Sequence, residues 1–129
     1  MKYYTKLIVV QPDDLDDLDH VNNVRYLQWV QDIAKGHWQT EATEEMLDKY
    51  IWMVRSNYIE YKGQAFIGET LELKTYIKEA RGAISVRIVE VHNQNTKKLI
   101  LRSTAEWCLI DKTSKRVIRL TKELTNLFT

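Results

Sequence analysis

No disulfide can form within this chain, because Cys108 is its only cysteine. A lone cysteine can also act as a thiol nucleophile, but Cys108 lies between Trp107 and Leu109 in a strand-like run, where a small buried residue is the simpler interpretation. The N-terminal residues lack the basic-then-apolar pattern of a secretory signal. These features together predict a reduced, cytoplasmic protein.

Long apolar runs and an excess of charge of one sign are also lacking. No stretch approaches the roughly 20 apolar residues that a membrane helix requires. The formal net charge is +1, so the field of the whole molecule gives no reason to expect nucleic acid as a partner. The length of 129 residues, with 44% hydrophobic and 29% charged residues, is typical of one folded domain. We therefore expect a single domain over residues 1–129, with no membrane segment.

The sequence also lacks the common motifs for metals and nucleotides. No His, Cys and Asp grouping has zinc-ligand spacing, and neither a phosphate-binding glycine loop nor G-x-S-x-G occurs. Asp14 and Asp16 have the first two spacings of a calcium loop, but Leu18 then takes the third ligand position and Arg25 the place of the closing glutamate. We expect no metal and no cofactor.

The first third of the chain predicts a strand followed by a long helix. Residues 4–10 are rich in β-branched and aromatic side chains, which indicates a strand. Between residues 24 and 39 polar and apolar side chains recur with helical spacing, which predicts an amphipathic helix with a wide buried face. Asn22 or Asn23 is its expected cap, and Gly36 blurs its end.

The remainder of the chain predicts one short helix and then strands. Residues 43–50 form a short helix with Thr43 as its cap. Patterns of period two, weak in the first case, then predict strands at residues 52–61, 71–77, 84–88, 99–109 and 116–120, with residues 121–128 as a short helix or strand tail. This order predicts an α+β domain, an antiparallel sheet packed on one dominant helix.

Five aspartates occupy seven positions directly ahead of the long helix, in the stretch D-D-L-D-D-L-D-H-V-N-N-V-R-Y-L-Q-W. A helix cap needs one acceptor, so this surplus of carboxylates favours a functional junction. A solvated acidic loop is the simpler interpretation for four of the five, with Asp16 as the exception. The four are Asp13, Asp14, Asp17 and Asp19.

A family resemblance is carried by the pattern Asp16-x-x-x-His20-Val21-Asn22-Asn23-x-x-Tyr26-x-x-Trp29. It resembles the signature of hotdog-fold thioesterases, in the acyl-ACP thioesterase and 4-hydroxybenzoyl-CoA thioesterase branch. The order of elements also matches the hotdog fold, in which an antiparallel sheet wraps a central helix. The resemblance implies hydrolysis of an acyl-CoA or acyl-ACP thioester in fatty acid metabolism, by a homodimer or homotetramer that binds substrate between subunits.

The resemblance also implies the catalytic groups. It assigns the carboxylate to Asp16 and the polarisation of the thioester carbonyl to the backbone N–H of Asn23, at a helix N-terminus that carries a partial positive charge. Asp16 would act as a general base on water or as a nucleophile that forms an anhydride, and the sequence does not choose between them.

Two positions depart from the plant-type enzymes of this branch. Their catalytic Asp, Asn and His would map onto Asp16, Leu18 and His20, but a leucine neither donates nor orients. His20 is therefore either catalytic, a residue that holds the loop through hydrogen bonds, or a plain structural histidine. Gln64 and Ala65 fall where those enzymes carry a Glu or Cys-like position. The simpler bacterial type, with one aspartate and the helix N-terminus, fits better.

Candidate substrate-binding residues are Asn22, Tyr26 and Arg81. Asn22 is either a helix cap or a direct substrate contact. Tyr26 and Trp29 lie on the buried face of the helix, where core packing is favoured and lining of the acyl slot is the second possibility.

Basic residues gather near the C-terminus, where eight lie between Lys97 and Lys122 against two acids, and Lys78 and Arg81 add a nearby turn. This patch would bind the phosphates of CoA or an acidic carrier protein, unless it is only the solvated face of the strands. The alternative to an enzyme is a hotdog protein that binds acyl thioesters without turnover, with a hotdog dehydratase as a distant third.

Overall fold

The computed structural model describes all residues from 1 to 129. Five strands and three helices follow one another, and a 3-10 turn at Pro12–Asp14 precedes the first helix. In chain order they are β1 (Tyr4–Val9), α1 (Asn23–Glu41), α2 (Glu44–Lys49), β2 (Tyr50–Tyr61), β3 (Thr70–Arg81), β4 (Ile84–Asn93), β5 (Leu99–Asp111) and α3 (Lys122–Asn126). The predicted α+β class is confirmed.

All five strands form one antiparallel sheet in the order β1-β3-β4-β5-β2. α1 packs across one face of it, mainly on β1, β3 and β4. Ile33 of α1 is only 1% exposed and belongs to one apolar cluster with Leu73 of β3 and Val91 of β4. The same face of β5 and β2 has much less contact with α1. None of the helices combines the length and the apolar character that a membrane span needs.

α1 confirms the predicted long helix and extends it at both ends. Asn22 is the cap, since its side-chain Oδ1 accepts a hydrogen bond from the Val24 N–H at 2.8 Å. Gly36 does not end the helix. A Cβ at this position would lie 3.2 Å from the ring of Tyr4 on β1, so the glycine allows the first strand to approach α1 closely.

One predicted strand is absent. Residues 116–120 form no strand, and only an isolated bridge joins Ile110 to Val117. The pairing of β5 with β4 ends at Cys108, so beyond this residue the backbone groups on that side of β5 have no partner in β4. The backbone of Leu120 already bonds to Gly82, in the β3–β4 turn. The free length is therefore too short for a ladder, and the chain continues into α3 instead.

The connection from β2 to β3 crosses the end of the sheet, because these consecutive strands are not neighbours. We name it the crossover loop, residues 62–69. Its Ala65 is fully buried in the cluster that contains Tyr26 of α1. Glu69 fixes the loop by accepting hydrogen bonds from the Phe66 N–H at 2.6 Å and from the Asn93 side chain at 2.9 Å. The loop therefore lies beneath the first turns of α1.

A polar cluster is buried between α1 and the sheet. Nη1 of Arg87 donates to Nδ1 of His37 at 2.9 Å and to Oγ1 of Thr75 at 3.0 Å. Burial, followed by the charge of Arg87, lowers the pKa of His37 to about 4. Burial lowers the pKa of Arg87 only to about 10. At neutral pH Arg87 is therefore charged, and His37 is neutral and accepts its hydrogen bond.

This cluster predicts that acid destabilises the fold through His37. Unfolded histidine has a pKa of 6.5, against about 4 in the folded chain, so the unfolded state binds more protons between these values. The free energy of unfolding should fall by about 2 kcal/mol from pH 7 to pH 5 through this group. The nearby Glu41 and Lys2 act on the pKa in opposite directions.

The measurement is urea unfolding at both pH values, for the wild type and His37→Gln, whose side-chain oxygen can still accept from Arg87. The variant should lack this part of the acid dependence. An equal fall in both proteins would contradict the assignment.

Candidate active site

The acidic loop, residues 12–22, closes on itself directly ahead of α1. The Asp16 N–H donates to the His20 carbonyl at 2.7 Å, and the Asp19 N–H donates to the Asp16 carbonyl at 3.1 Å. Asp19 has a φ of 61°, which reverses the chain at the tip. An isolated β-bridge ties the two ends of the turn together. Asp16 is thus held at the base of a tight turn that leads into α1.

The Asp16 carboxylate is exposed and uses only one oxygen within the loop. Its Oδ1 accepts from the Leu18 N–H at 2.9 Å and from the His20 N–H at 3.1 Å. Oδ2 makes no hydrogen bond within the chain. One oxygen therefore orients the carboxylate, while the other is free to accept a proton or to attack.

Asp14 corrects the prediction that four of the five aspartates are solvated. Its side chain is buried, and Oδ2 accepts from the Gln11 N–H at 2.8 Å while Oδ1 pairs with Nε of Arg25 at 3.0 Å. Its carbonyl accepts from the Asn22 N–H at 2.9 Å. Asp14 thus joins the acidic loop to the first turn of α1. The other three, Asp13, Asp17 and Asp19, are exposed as predicted.

The start of α1 leaves one backbone donor unused. The Val24 N–H bonds to the Asn22 side chain, and the N–H groups of Arg25 and Tyr26 bond to the Asn22 carbonyl. The N–H of Asn23, the first residue of the helix, makes no hydrogen bond within the chain. Because this donor also lies at the positive end of the helix dipole, it is suited to an oxyanion.

His20 contributes to the loop through its backbone rather than its ring. Its N–H and carbonyl both bond to Asp16, as described above, whereas the imidazole packs edge-on against Phe66 of the crossover loop at 6.0 Å between ring centroids. The ring makes no hydrogen bond. Leu18, which replaces the asparagine of the plant-type pattern, is 74% exposed and contributes only its N–H.

Tyr26 lies in the core below the acidic loop. It is 2% exposed, and its ring meets those of Trp29 and Tyr61 edge-on at 5.6 and 6.2 Å. Burial raises the pKa of Tyr26 to about 12. Its hydroxyl lies near the backbone of Ala65 without a hydrogen bond of standard geometry. Core packing, the favoured interpretation, is what the structure shows.

Arg81 is the one predicted site residue that the structure separates from the others. The acidic loop follows Val9, which pairs with Thr70 at the start of β3, whereas Arg81 lies at the far end of that strand. Eleven residues of strand correspond to about 36 Å. The guanidinium also pairs with Glu79 and Glu106. Within one chain Arg81 therefore lies apart from the acidic loop, and its role in substrate binding stays a prediction.

The predicted basic patch is divided by the length of β5. Lys97, Lys98 and Arg102 lie near its first residues, and the other five lie at or beyond its last residues. Arg102 pairs with Glu90, which leaves the two lysines at the end nearer the crossover loop.

A cavity of about 370 Å³ lies at that end, lined by the crossover loop and the β4–β5 turn. Phe66 borders both this cavity and the His20 ring. The cations of the cavity are Lys98 and Lys62, of which Lys62 pairs with Glu60 at 3.3 Å, and Glu69 is its one carboxylate. Sequence reasoning missed Lys62 and Phe66. Their position depends on the crossover, for which the sequence has no local signal.

Comparison with curated protein sequences finds no match. Among solved structures, the probable thioesterase YbaW from Escherichia coli superposes with a TM-score of 0.86 at 18% identity, over 95% of this chain and 94% of that one. A 4-hydroxybenzoyl-CoA thioesterase gives a TM-score of 0.88 at 14% identity over 100% of both chains.

The 12:0-ACP thioesterase from Umbellularia californica gives a TM-score of 0.83 at 15% identity, over 98% of this chain and 54% of that one. At these identities the likenesses show the hotdog thioesterase fold, which confirms the predicted architecture. The model of the acyl-ACP thioesterase N-terminal domain matches residues 1–128, nearly the whole chain. This chain therefore belongs to the acyl-ACP thioesterase family, the family whose signature its acidic loop and first helix resemble.

Proposed function

We propose that the junction between the acidic loop and α1 carries out the thioester hydrolysis for which the family is named. The observation that carries this proposal is a pair of unused groups on one short segment, Oδ2 of Asp16 and the N–H of Asn23. Hydrolysis needs a base or nucleophile and a donor for the developing oxyanion. This segment supplies one of each, and both are held by backbone hydrogen bonds.

The thioester carbonyl oxygen accepts a hydrogen bond from the Asn23 N–H, so the carbonyl carbon becomes more electrophilic. Asp16 then acts by one of two routes. As a base, its Oδ2 takes a proton from water while the water oxygen bonds to the carbon and the C–S bond breaks to release thiolate. As a nucleophile, Oδ2 itself bonds to the carbon, thiolate leaves, and water hydrolyses the resulting anhydride to two carboxylates.

The proposed substrate is an acyl thioester of CoA or of acyl carrier protein. Two proteins of the same fold have been solved with such ligands. One is an Asp-to-Asn variant of the 4-hydroxybenzoyl-CoA thioesterase in complex with 4-hydroxybenzoyl-CoA, and the other is a Staphylococcus aureus protein in complex with CoA. In this chain the small cavity beside Phe66, with Lys62 and Lys98, would take the phosphate-bearing end. Asn22, the other predicted substrate contact, has its side-chain oxygen engaged as the cap of α1.

Asp16→Asn should lower kcat at least about 100-fold with the fold unchanged. The asparagine oxygen can still accept from the Leu18 and His20 N–H groups, so the loop geometry is kept while the base or nucleophile is lost. Release of thiol from a panel of acyl-CoA esters, short, long and aryl, measures the effect. The matched control is the exposed neighbour Asp17→Asn, which should stay within about threefold of wild type.

Equal turnover by wild type and Asp16→Asn would remove Asp16 from the chemistry. Tight binding of acyl thioesters by the wild type without any thiol release would instead identify a binding protein without turnover, the second function that the sequence allows.

Lys98→Gln should raise KM for an acyl-CoA about threefold to tenfold with little change in kcat, because the lysine would contact phosphate away from the reacting carbon. The control is Lys115→Gln, the same charge change beyond the opposite end of β5. Steady-state kinetics at low and moderate salt measure both. If the two variants behave alike, the small cavity does not bind the phosphates.

We further propose that the active form is at least a dimer formed through β2. This 12-residue strand lies at an edge of the sheet, so one row of its backbone groups has no partner strand. Five of its eight exposed side chains are apolar, among them Met53 at 54% and Tyr58 at 66% exposure, and the other three are Arg55, Ser56 and Asn57. A long apolar edge is a template for pairing with a second copy, and β1 at the other edge has half the length.

Tyr58→Glu should therefore shift the protein toward monomer in sedimentation velocity, because a carboxylate would be buried at the interface. Leu7→Glu is the control, since it places the same charge at an exposed apolar position of β1. A wild type that is monomeric at micromolar concentration, or a Leu7→Glu variant that dissociates as readily, would contradict a β2 interface.

A further inference from the structure

A second, larger cavity lies away from the acidic loop, between the second half of α1 and the face of the sheet that α1 leaves open. Its volume is about 1050 Å³, at the upper limit for small-molecule sites. Ten of its 18 lining residues are hydrophobic, and five of these are aromatic: Trp38, Tyr50, Trp52, Trp107 and Phe128. It shares no lining residue with the small cavity proposed for the phosphates, and Ile51, Met53 and Val54 of β2 also line it, so it adjoins the edge proposed for the dimer.

Arg87 lines this cavity although its side chain is almost entirely inside the protein. The residue is 6% exposed, and no carboxylate forms an ion pair with it. Its Nη1 is occupied by His37 and Thr75, whereas Nε and Nη2 make no hydrogen bond within the chain. A buried charge is strongly unfavourable unless it is paired, so an unpaired guanidinium facing a cavity points to a missing anion.

The surrounding groups hold the guanidinium in one orientation. The neutral His37 ring is stacked on Tyr4 and meets Phe128 edge-on at 4.6 Å, so its acceptor nitrogen is fixed toward Arg87. Phe128 also lies against the guanidinium carbon at 5.5 Å. With one nitrogen fixed in this way, the remaining donors form a rigid fork, which matches the two oxygens of a carboxylate.

The other charges at the cavity do not neutralise Arg87. Asp32, Lys35, Asp48 and Lys112 are also at the lining, but all four are exposed and their charges cancel. The cavity thus has one buried cation at its floor and apolar walls around it. A ligand that fits must combine an anionic head with an apolar body.

We propose that this cavity binds the carboxylate of an amphipathic organic acid, with the free donors of Arg87 on the carboxylate and the aromatic walls around the apolar part. Within one chain this site lies apart from the acidic loop. His37, which touches Arg87, lies 14 residues along α1 from Asn23, about 21 Å along the helix axis. The carboxylate comes either from a free acid, such as the product of thioester hydrolysis, or from the far end of a substrate's acyl chain.

Three of the four tryptophans line the cavity, so intrinsic fluorescence reports its occupancy. The probes are decanoate and the uncharged decanamide, which differ only in the head group. Wild type should bind decanoate about tenfold or more tightly than decanamide. Arg87→Met should lose this preference, whereas Lys35→Gln, which removes an exposed cation at the rim, should keep it.

Arg87→Met is expected to fold, since replacing an unpaired buried charge by an apolar side chain of similar length removes a cost. Circular dichroism and thermal unfolding check this, and Arg87→Lys, which keeps the charge but loses the fork, serves as the second variant with an intermediate preference. The wild-type comparison of acid and amide needs no variant. Equal binding of decanoate and decanamide by wild type, or an unchanged preference in Arg87→Met, would overturn the proposal.

Two further arms identify the source of the carboxylate. A thioester whose acyl chain ends in a carboxylate is compared with its methyl ester by kcat/KM. If the wild type prefers the acid and Arg87→Met does not, the site binds the far end of the substrate's acyl chain. If there is no such preference but free decanoate inhibits competitively or partially, the site binds the product. Asp16→Asn should bind decanoate as wild type does, because Arg87 is unchanged. The binding test can therefore fail without affecting the catalytic role of Asp16, and the reverse also holds.

Discussion

The packing of α1 on β1, β3 and β4 is the interaction on which the rest of the structure depends. A single antiparallel sheet has one apolar face to cover, and α1, at 19 residues and about 28 Å, is the only element long enough to cover it. The glycine at position 36 lets the Tyr4 ring come close, which places the helix toward the β1 side. The helix therefore covers the sheet unevenly, and both functional regions follow from where it begins and what it leaves open.

At the beginning of α1, the aspartates have divided roles that their spacing does not reveal. Asp14 is buried and binds Arg25 and the Gln11 N–H, so it fixes the loop to the helix. Asp16, two residues later, has one oxygen fixed and one free. Asp14 thus helps to hold in place the carboxylate that we propose as the reactive one. Asn22 accepts hydrogen bonds from the three N–H groups that follow Asn23, whereas the N–H of Asn23, the donor that we propose for the oxyanion, stays free.

At the other end, the uncovered face of β5 and β2 gives a large aromatic cavity with a charged floor. Burial keeps His37 neutral and leaves Arg87 charged, so the same low polarity makes one residue an acceptor and the other an unmatched cation. Such an arrangement is costly for folding unless an anion offsets it. The exposed edge of β2 follows from the strand order and the cavity follows from the helix position, and β2 borders both.

Local sequence patterns predicted most of the elements and the family. Helical spacing predicted α1, Asn22 was one of the two residues expected to cap it, and the signature from Asp16 to Trp29 indicated the thioesterase family that the comparison confirms. Interactions between distant segments were decided only by the tertiary structure. Within one chain β3 separates Arg81 from the acidic loop, and residues 116–120 form no ladder because β5 offers too short a free edge. The burial of Asp14, the approach of Phe66 to His20 and the unpaired charge of Arg87 all depend on strand order and helix placement, which short-range sequence patterns do not encode.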